Sequence, residues 1–178
     1  ALPLFMDSYY LDNISYFMCW TFISLGLAVI WGMGGILSFG QTAFFGLAGY
    51  GFSVISINFL GVAGVSLWSI ALALILTGIF GLIVGYFLFY GGIYDVFVGI
   101  VTLAITLVFE TFMQQTAGPE YAIGKARLNG FNGMQGMPTI GFESIPFGLV
   151  EGVTQYYFML ILAIITLVVL YKFKSSKM

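Results

Sequence analysis

Apolar residues along this chain collect into five long runs, 14–31, 37–60, 67–90, 93–112 and 156–173. A helix crosses the roughly 30 Å hydrocarbon core of a bilayer with about 20 apolar residues, and each run is near that length. The pattern predicts an all-α fold, a polytopic transmembrane helix bundle of about five spans. The interval between the fourth and fifth runs, 113–155, breaks the pattern. Pro119, Pro138 and Pro146 fall there among many glycines, together with Glu120, Lys125, Arg127, Glu143 and Glu151. Prolines and glycines at this density break helices, and the charges need water, so a long extramembrane loop is predicted. Phe131, Met134, Met137, Ile140, Phe142 and Phe147 recur through it. That pattern favours a compact loop, folded against the membrane face or a partner, over a disordered one.

Composition sharpens this picture. Only 7% of the 178 residues are charged, against about 25% in a soluble domain, and the mean hydropathy is +1.07. No charge falls in residues 13–94. A charge at the bilayer centre costs about 2.5–3.5 kcal/mol on insertion scales, which accounts for the gap. The net charge of −2, with basic residues confined to the loop and the tail, leaves no nucleic-acid footprint. Cys19 is the one cysteine and histidine is absent. Intrachain disulfides, zinc sites that need Cys or His, and Ser-His-Asp or Cys-His catalysis are thereby excluded within this chain. No Gly-x-x-x-x-Gly-Lys-Ser/Thr loop occurs, so ATP is not expected to bind here.

Orientation follows from the Lys172, Lys174 and Lys177 cluster beside the last run, which the positive-inside rule assigns to the cytoplasm. Counting back through five spans places the loop and the N-terminus outside, with Lys125 and Arg127 counting against this assignment. Ala1–Met6 reads like the tail of a preceding apolar span, and the chain stops directly after its basic segment. Residues 1–178 are therefore expected to be a single transmembrane domain that forms part of a longer protein.

The densest motif is WGMGGILSFGQTAFFGLAGYG, residues 31–51. One reading is tight helix packing, since small residues let backbones approach where lipid supplies no hydrophobic drive between helices. Gly46 and Gly49 would serve it here, and Gly81 and Gly85 form a small-xxx-small pair in the third run. The other reading is a discontinuous stretch around Gly32–Gly40, whose freed backbone groups line a solute path. Gly35, Ser38, Gly40, Gln41 and Phe44 are the candidates. Glu110 joins them because an intramembrane carboxylate is functional by default. At helical spacing Glu110 can share a face with Thr102, Thr106 and Gln114. Asp95 lies at a run end beside Gly91 and Gly92, where it would reach headgroups or water.

Residues 31–50, WGMGGILSFGQTAFFGLAGY, resemble the early motif of the LivM-type permease family, approximately G-x-x-G-x-L-S-x-G-H/Q-x-A-F-F-G-x-G-A-Y. VTLA at 101–104 and GFNGMQGMP at 130–138 resemble two later motifs in the same order, and KSSKM at 174–178 resembles the basic run before the cytoplasmic coupling segment. The insertion GPEYAIGKAR at 118–127 departs from the core pattern. The resemblance implies a permease subunit of an ABC importer for branched-chain amino acids in the cell membrane, itself not an enzyme and without a cofactor of its own. ATP would be hydrolysed on two separate ATPase subunits. A second, homologous permease chain and an extracytoplasmic solute-binding protein complete the expected assembly. A urea or short-amide importer is the alternative within transport. A passive channel or a structural membrane subunit is the alternative outside it.

Overall fold

A computed structural model of the chain describes all residues except 1, 2, 4, 5, 63, 143–147, 150, 151, 177 and 178. Five helices are present among them: α1 Ser8–Gly34, α2 Gln41–Asn58, α3 Val65–Tyr90, α4 Val96–Gln114 and α5 Gly152–Ser176. Two short antiparallel hairpins lie between α4 and α5, β1 Ala122–Ile123 with β2 Ala126–Arg127, and β3 Gly141–Phe142 with β4 Gly148–Leu149. The chain divides into two compact units, one of Ile30–Pro138 and one of Ala1–Val29 with Thr139–Met178.

Among the described residues, four helices are long and apolar enough to cross a membrane: Tyr9–Gly34, Val65–Tyr90, Val96–Gln114 and Gly152–Phe173. α2 is not among them, so the expected count of about five spans is matched by four such helices and the shorter, less apolar α2. The helix of the second run begins at Gln41 rather than at 37 and ends at Asn58. Residues 35–40 carry no helical structure, because Gly35 turns to a φ of +67°. A left-handed residue of that kind ends α-helices. α1, α3 and α5 outrun their apolar runs by a few residues, whereas α4 starts three residues late, at Val96, after the positive φ of Gly92 and Asp95.

In the Ile30–Pro138 unit, α2 packs antiparallel on α3. Phe44 meets Phe80 with ring centroids 5.5 Å apart, while seven residues later in α2 Gly51 faces Ala73, earlier in α3. A Cβ on Gly51 would lie 3.5 Å from the Ala73 Cβ. Ser53 and Ser56 of α2 and Ser66, Ser69 and Ala73 of α3 are all buried, so the helices approach through small side chains. The Gly51 geometry admits a methyl group and nothing larger. Gly51→Ala is expected to leave the thermal midpoint of the detergent-purified protein nearly unchanged. Gly51→Leu is expected to destabilise it by about 1–3 kcal/mol through overpacking, seen as a lowered midpoint.

The first part of the predicted loop is compact. Ala126, Leu128 and Met134 form a buried cluster packed on Tyr50, Val54 and Ile57 of α2 and Met113 of α4. Asn58, the last residue of α2, fastens the β1–β2 hairpin. Its Nδ2 donates to the carbonyls of Val54 and Ile123, both at 2.8 Å, and its Oδ1 accepts from the Lys125 N–H at 2.8 Å. Gly124 holds a φ of +63° at the hairpin turn, and a Cβ there would overlap Asn58 Oδ1. In the other unit, Leu11 and Ser15 of α1 are fully buried and Tyr156 of α5 nearly so. Ser15 Oγ donates back to the Leu11 carbonyl at 2.8 Å.

Candidate functional site

α4 carries a seam of small and polar residues, Asp95, Gly99, Thr102, Thr106, Glu110 and Gln114, recurring every three or four positions. That spacing places them on one helical face. The segment 35–40 lies along the first half of this face. A Cβ on Gly99 would come within 3.2 Å of the Leu37 carbonyl oxygen, and the Phe39 N–H donates to Thr102 Oγ1 at 3.0 Å. Thr106 Oγ1 donates to the Phe39 carbonyl at 3.1 Å. Two hydroxyls one helical turn apart thus hold both polar groups of one residue. The Gly40 N–H is satisfied nearby by the buried Ser38 Oγ at 3.3 Å.

From Gly40 onward, α2 continues along the second half of the seam, parallel to α4. A Cβ on Gly40 would stand 3.2 Å from Thr102 Cβ, and one on Gly46 would stand 3.3 Å from Phe109 Cε1. The crossing is therefore composite, a non-helical half followed by a helical half. Its non-helical half lies beside a helix long and apolar enough to span, and so at membrane depth. Lipid cannot satisfy backbone groups, so irregular backbone is tolerated there only where protein buries it or a watery cavity reaches it. Phe39 and Gly40 are satisfied in this way. The N–H groups of Ile36, Leu37 and Ser38 and the carbonyls of Ile36 and Leu37 have no partner among the described residues.

Two clefts flank the Phe39 junction. One, of about 330 Å³, lies between α2 and α4 and includes Thr42, Tyr50, Glu110, Gln114 and Phe131 in its walls. The other, of about 230 Å³, is bounded by Gly35, Leu37, Phe39, Asp95 and Gly99. Asp95 caps α4 with a φ of +52°, a conformation that favours glycine, and its side chain makes no cap hydrogen bond. Glu110 Oε1 accepts from Gln114 Nε2 at 3.0 Å.

The candidates read from the sequence separate in space. Gly35 lines the smaller cleft, Glu110 the larger, and Ser38 and Gly40 lie buried at the junction between them. Gln41 opens α2, half-buried, with no side-chain hydrogen bond to another described residue. The Phe44 ring lies between Gly40 and Gly81 and against Phe80, so it packs α2 on α3 and lines neither cleft. Among the glycines read as packing positions, Gly46 faces Phe109 and Gly81 faces Phe44. Among the described residues, nothing lies within 4 Å of a Cβ on Gly49, and Gly85 meets only Phe89 of its own helix. The close approach between α2 and α3 falls at Gly51 instead. Gly99 and Tyr50 are not singled out by the sequence reading, and Phe131 is read there only as an apolar residue of the loop. Only Gly99 carried a signal, its helical spacing from Asp95 and Thr102.

Several helices long and apolar enough to span, one of them carrying a polar seam beside an interrupted crossing, mark a multi-pass membrane protein. A family profile described as branched-chain amino acid transport system, permease component, matches residues 9–178, and the chain belongs to that family. Comparisons with curated proteins and with solved structures give no match.

Proposed function

We propose that the chain is a LivM-type permease subunit of an ABC importer, and that the seam along α4 forms part of the path for branched-chain amino acids. The observation that carries this reading is the set of unpaired main-chain groups at 36–38, beside the seam and at membrane depth. Exposed to lipid, each would cost several kcal/mol. A water-filled path, or a solute passing along it, satisfies them. Half-crossings of this kind hold solutes in secondary transporters, and the same physics applies whichever energy source drives the cycle.

In this reading two ATPase subunits supply the energy, since the chain has no phosphate-cradling loop of its own. A homologous permease chain closes the far side of the path. A solute-binding protein delivers from the side of the 113–155 loop. The lysine-rich C-terminus lies in the cytoplasm and the loop outside the cell membrane. Urea or a short amide is the alternative solute, and the uptake assay distinguishes the two.

The test is ATP-dependent uptake of labelled leucine into proteoliposomes holding the whole assembly. Gln41→Ala is expected to lower uptake several-fold at normal protein level, because it removes an uncommitted amide at the head of α2. Unchanged uptake would contradict a path at this position. Topology is checked separately with an impermeant thiol reagent on Ser175→Cys and Asn129→Cys in a Cys19→Ala background. The two are expected to label from opposite sides of the membrane, and same-side labelling rules out the proposed orientation.

A further inference from the structure

We infer that Glu110 and Gln114 form a seat for a primary ammonium group of the transported solute, an inference that rests on the path reading above. Three observations converge on it. Glu110 stands in the wall of the larger cleft, exposed, with a single partner, the Gln114 amide N–H at 3.0 Å. That bond leaves the second Glu110 oxygen and the Gln114 carbonyl as acceptors with no donor among the described residues. No lysine or arginine is paired with Glu110 among them either.

The placement on the helix adds an electrostatic argument. Glu110 lies one turn before the end of α4, where the partial negative charge of the last carbonyls disfavours a carboxylate. An anion held there without a protein cation gains from one that arrives with the solute. An ammonium carries three donors and no acceptor, which matches the acceptors that this pair leaves free. The surrounding wall is mostly apolar, with Ala43, Gly46, Phe109 and Met113, and suits a hydrocarbon side chain. A solute with one ammonium and an apolar tail therefore fits the cleft better than a neutral amide. A neutral amide could donate its N–H groups to the same acceptors but would leave the carboxylate's charge uncompensated.

The test uses the assembled transporter in proteoliposomes with saturating loaded binding protein, so that delivery does not limit the rate. Glu110→Gln keeps the shape and one acceptor oxygen for the Gln114 amide, and removes the charge and the second acceptor. It is expected to lower leucine uptake at least tenfold at equal insertion, whereas Glu110→Asp retains a measurable part. Glu110→Gln within twofold of wild type would overturn the seat. So would equal losses in both variants, since a charge requirement must separate them. Wild-type uptake of a short amide instead of leucine would overturn the leading solute assignment. In that case Glu110→Gln is measured on the amide, and tolerance there overturns the ammonium seat as well. Absence of any wild-type uptake would count against the path reading, separately from the seat.

Discussion

Gly40→Leu is expected to abolish solute uptake, by tenfold or more, in a chain that still inserts into the membrane. The position is closed on three sides. A Cβ there would lie 3.2 Å from Thr102 Cβ, 3.4 Å from Phe44 Cε2 and 3.6 Å from Ser38 Oγ. A methyl group fits if α2 yields by a few tenths of an ångström, so Gly40→Ala should keep part of the activity. An isobutyl group has no such outlet and must lift the start of α2 off α4. Overpacking of this kind costs about 1–3 kcal/mol. The displacement also breaks the two bonds that hold Phe39 to Thr102 and Thr106, and a buried polar group left unsatisfied costs about 1–3 kcal/mol more. Thr102→Val isolates the polar part of this argument, because it keeps the shape and removes the acceptor for the Phe39 N–H. It should impair uptake, and Thr102→Ser should restore it. Uptake by Gly40→Leu within twofold of wild type would show that the junction has no part in transport.

The second large effect is expected at the other end of α2. Asn58→Ala removes the two hydrogen bonds that tie the β1–β2 hairpin to α2, together with the bond to Val54 inside the helix. At about 0.5–1.5 kcal/mol each, loss of the two hairpin bonds amounts to about 1–3 kcal/mol of local stability. A change of 1.4 kcal/mol is tenfold in an opening equilibrium. Trypsin cuts after lysine and arginine, and Lys125 and Arg127 lie in this hairpin. Cleavage at these sites should become at least tenfold faster in Asn58→Ala than in wild type, with the helices still inserted. Equal cleavage rates would mean that the buried cluster of Ala126, Leu128 and Met134 holds the hairpin without Asn58.

The spanning helices were legible because lipid contact demands long apolar runs whatever the helices pack against. The break before α2 was not legible as a boundary. The run 37–60 is evenly apolar, and apolarity says nothing about backbone conformation. What settles the break is partly local, the left-handed turn at Gly35, and partly distant, since Thr102 and Thr106 are more than sixty positions along the chain from Phe39. The glycine-rich motif marked the neighbourhood and left two readings open. Gly46 and Gly51 serve helix approach, and 35–40 is the non-helical interruption before α2.

The face of α4 could be read from spacing alone, which is why Thr102, Thr106, Glu110 and Gln114 could be grouped in advance. Phe44 belongs to the motif by position and to the α2–α3 interface by structure. Asn58 carried no usable signal, because an asparagine at the end of an apolar run looks like any helix stop. Its role comes from a hairpin about 65 residues away, with which it makes two of its bonds.

The central claim is that solute travels beside the composite crossing, along the seam of α4. Thr42 tests it most directly, since it is exposed, lies two residues after the junction and lines the larger cleft. In a Cys19→Ala background, Thr42→Cys in the assembled transporter should react with a charged, membrane-impermeant thiol reagent, and leucine should slow that reaction at least threefold. A Thr42→Cys that stays unmodified while Asn129→Cys labels readily, or one whose labelling leucine leaves unchanged, would contradict the claim.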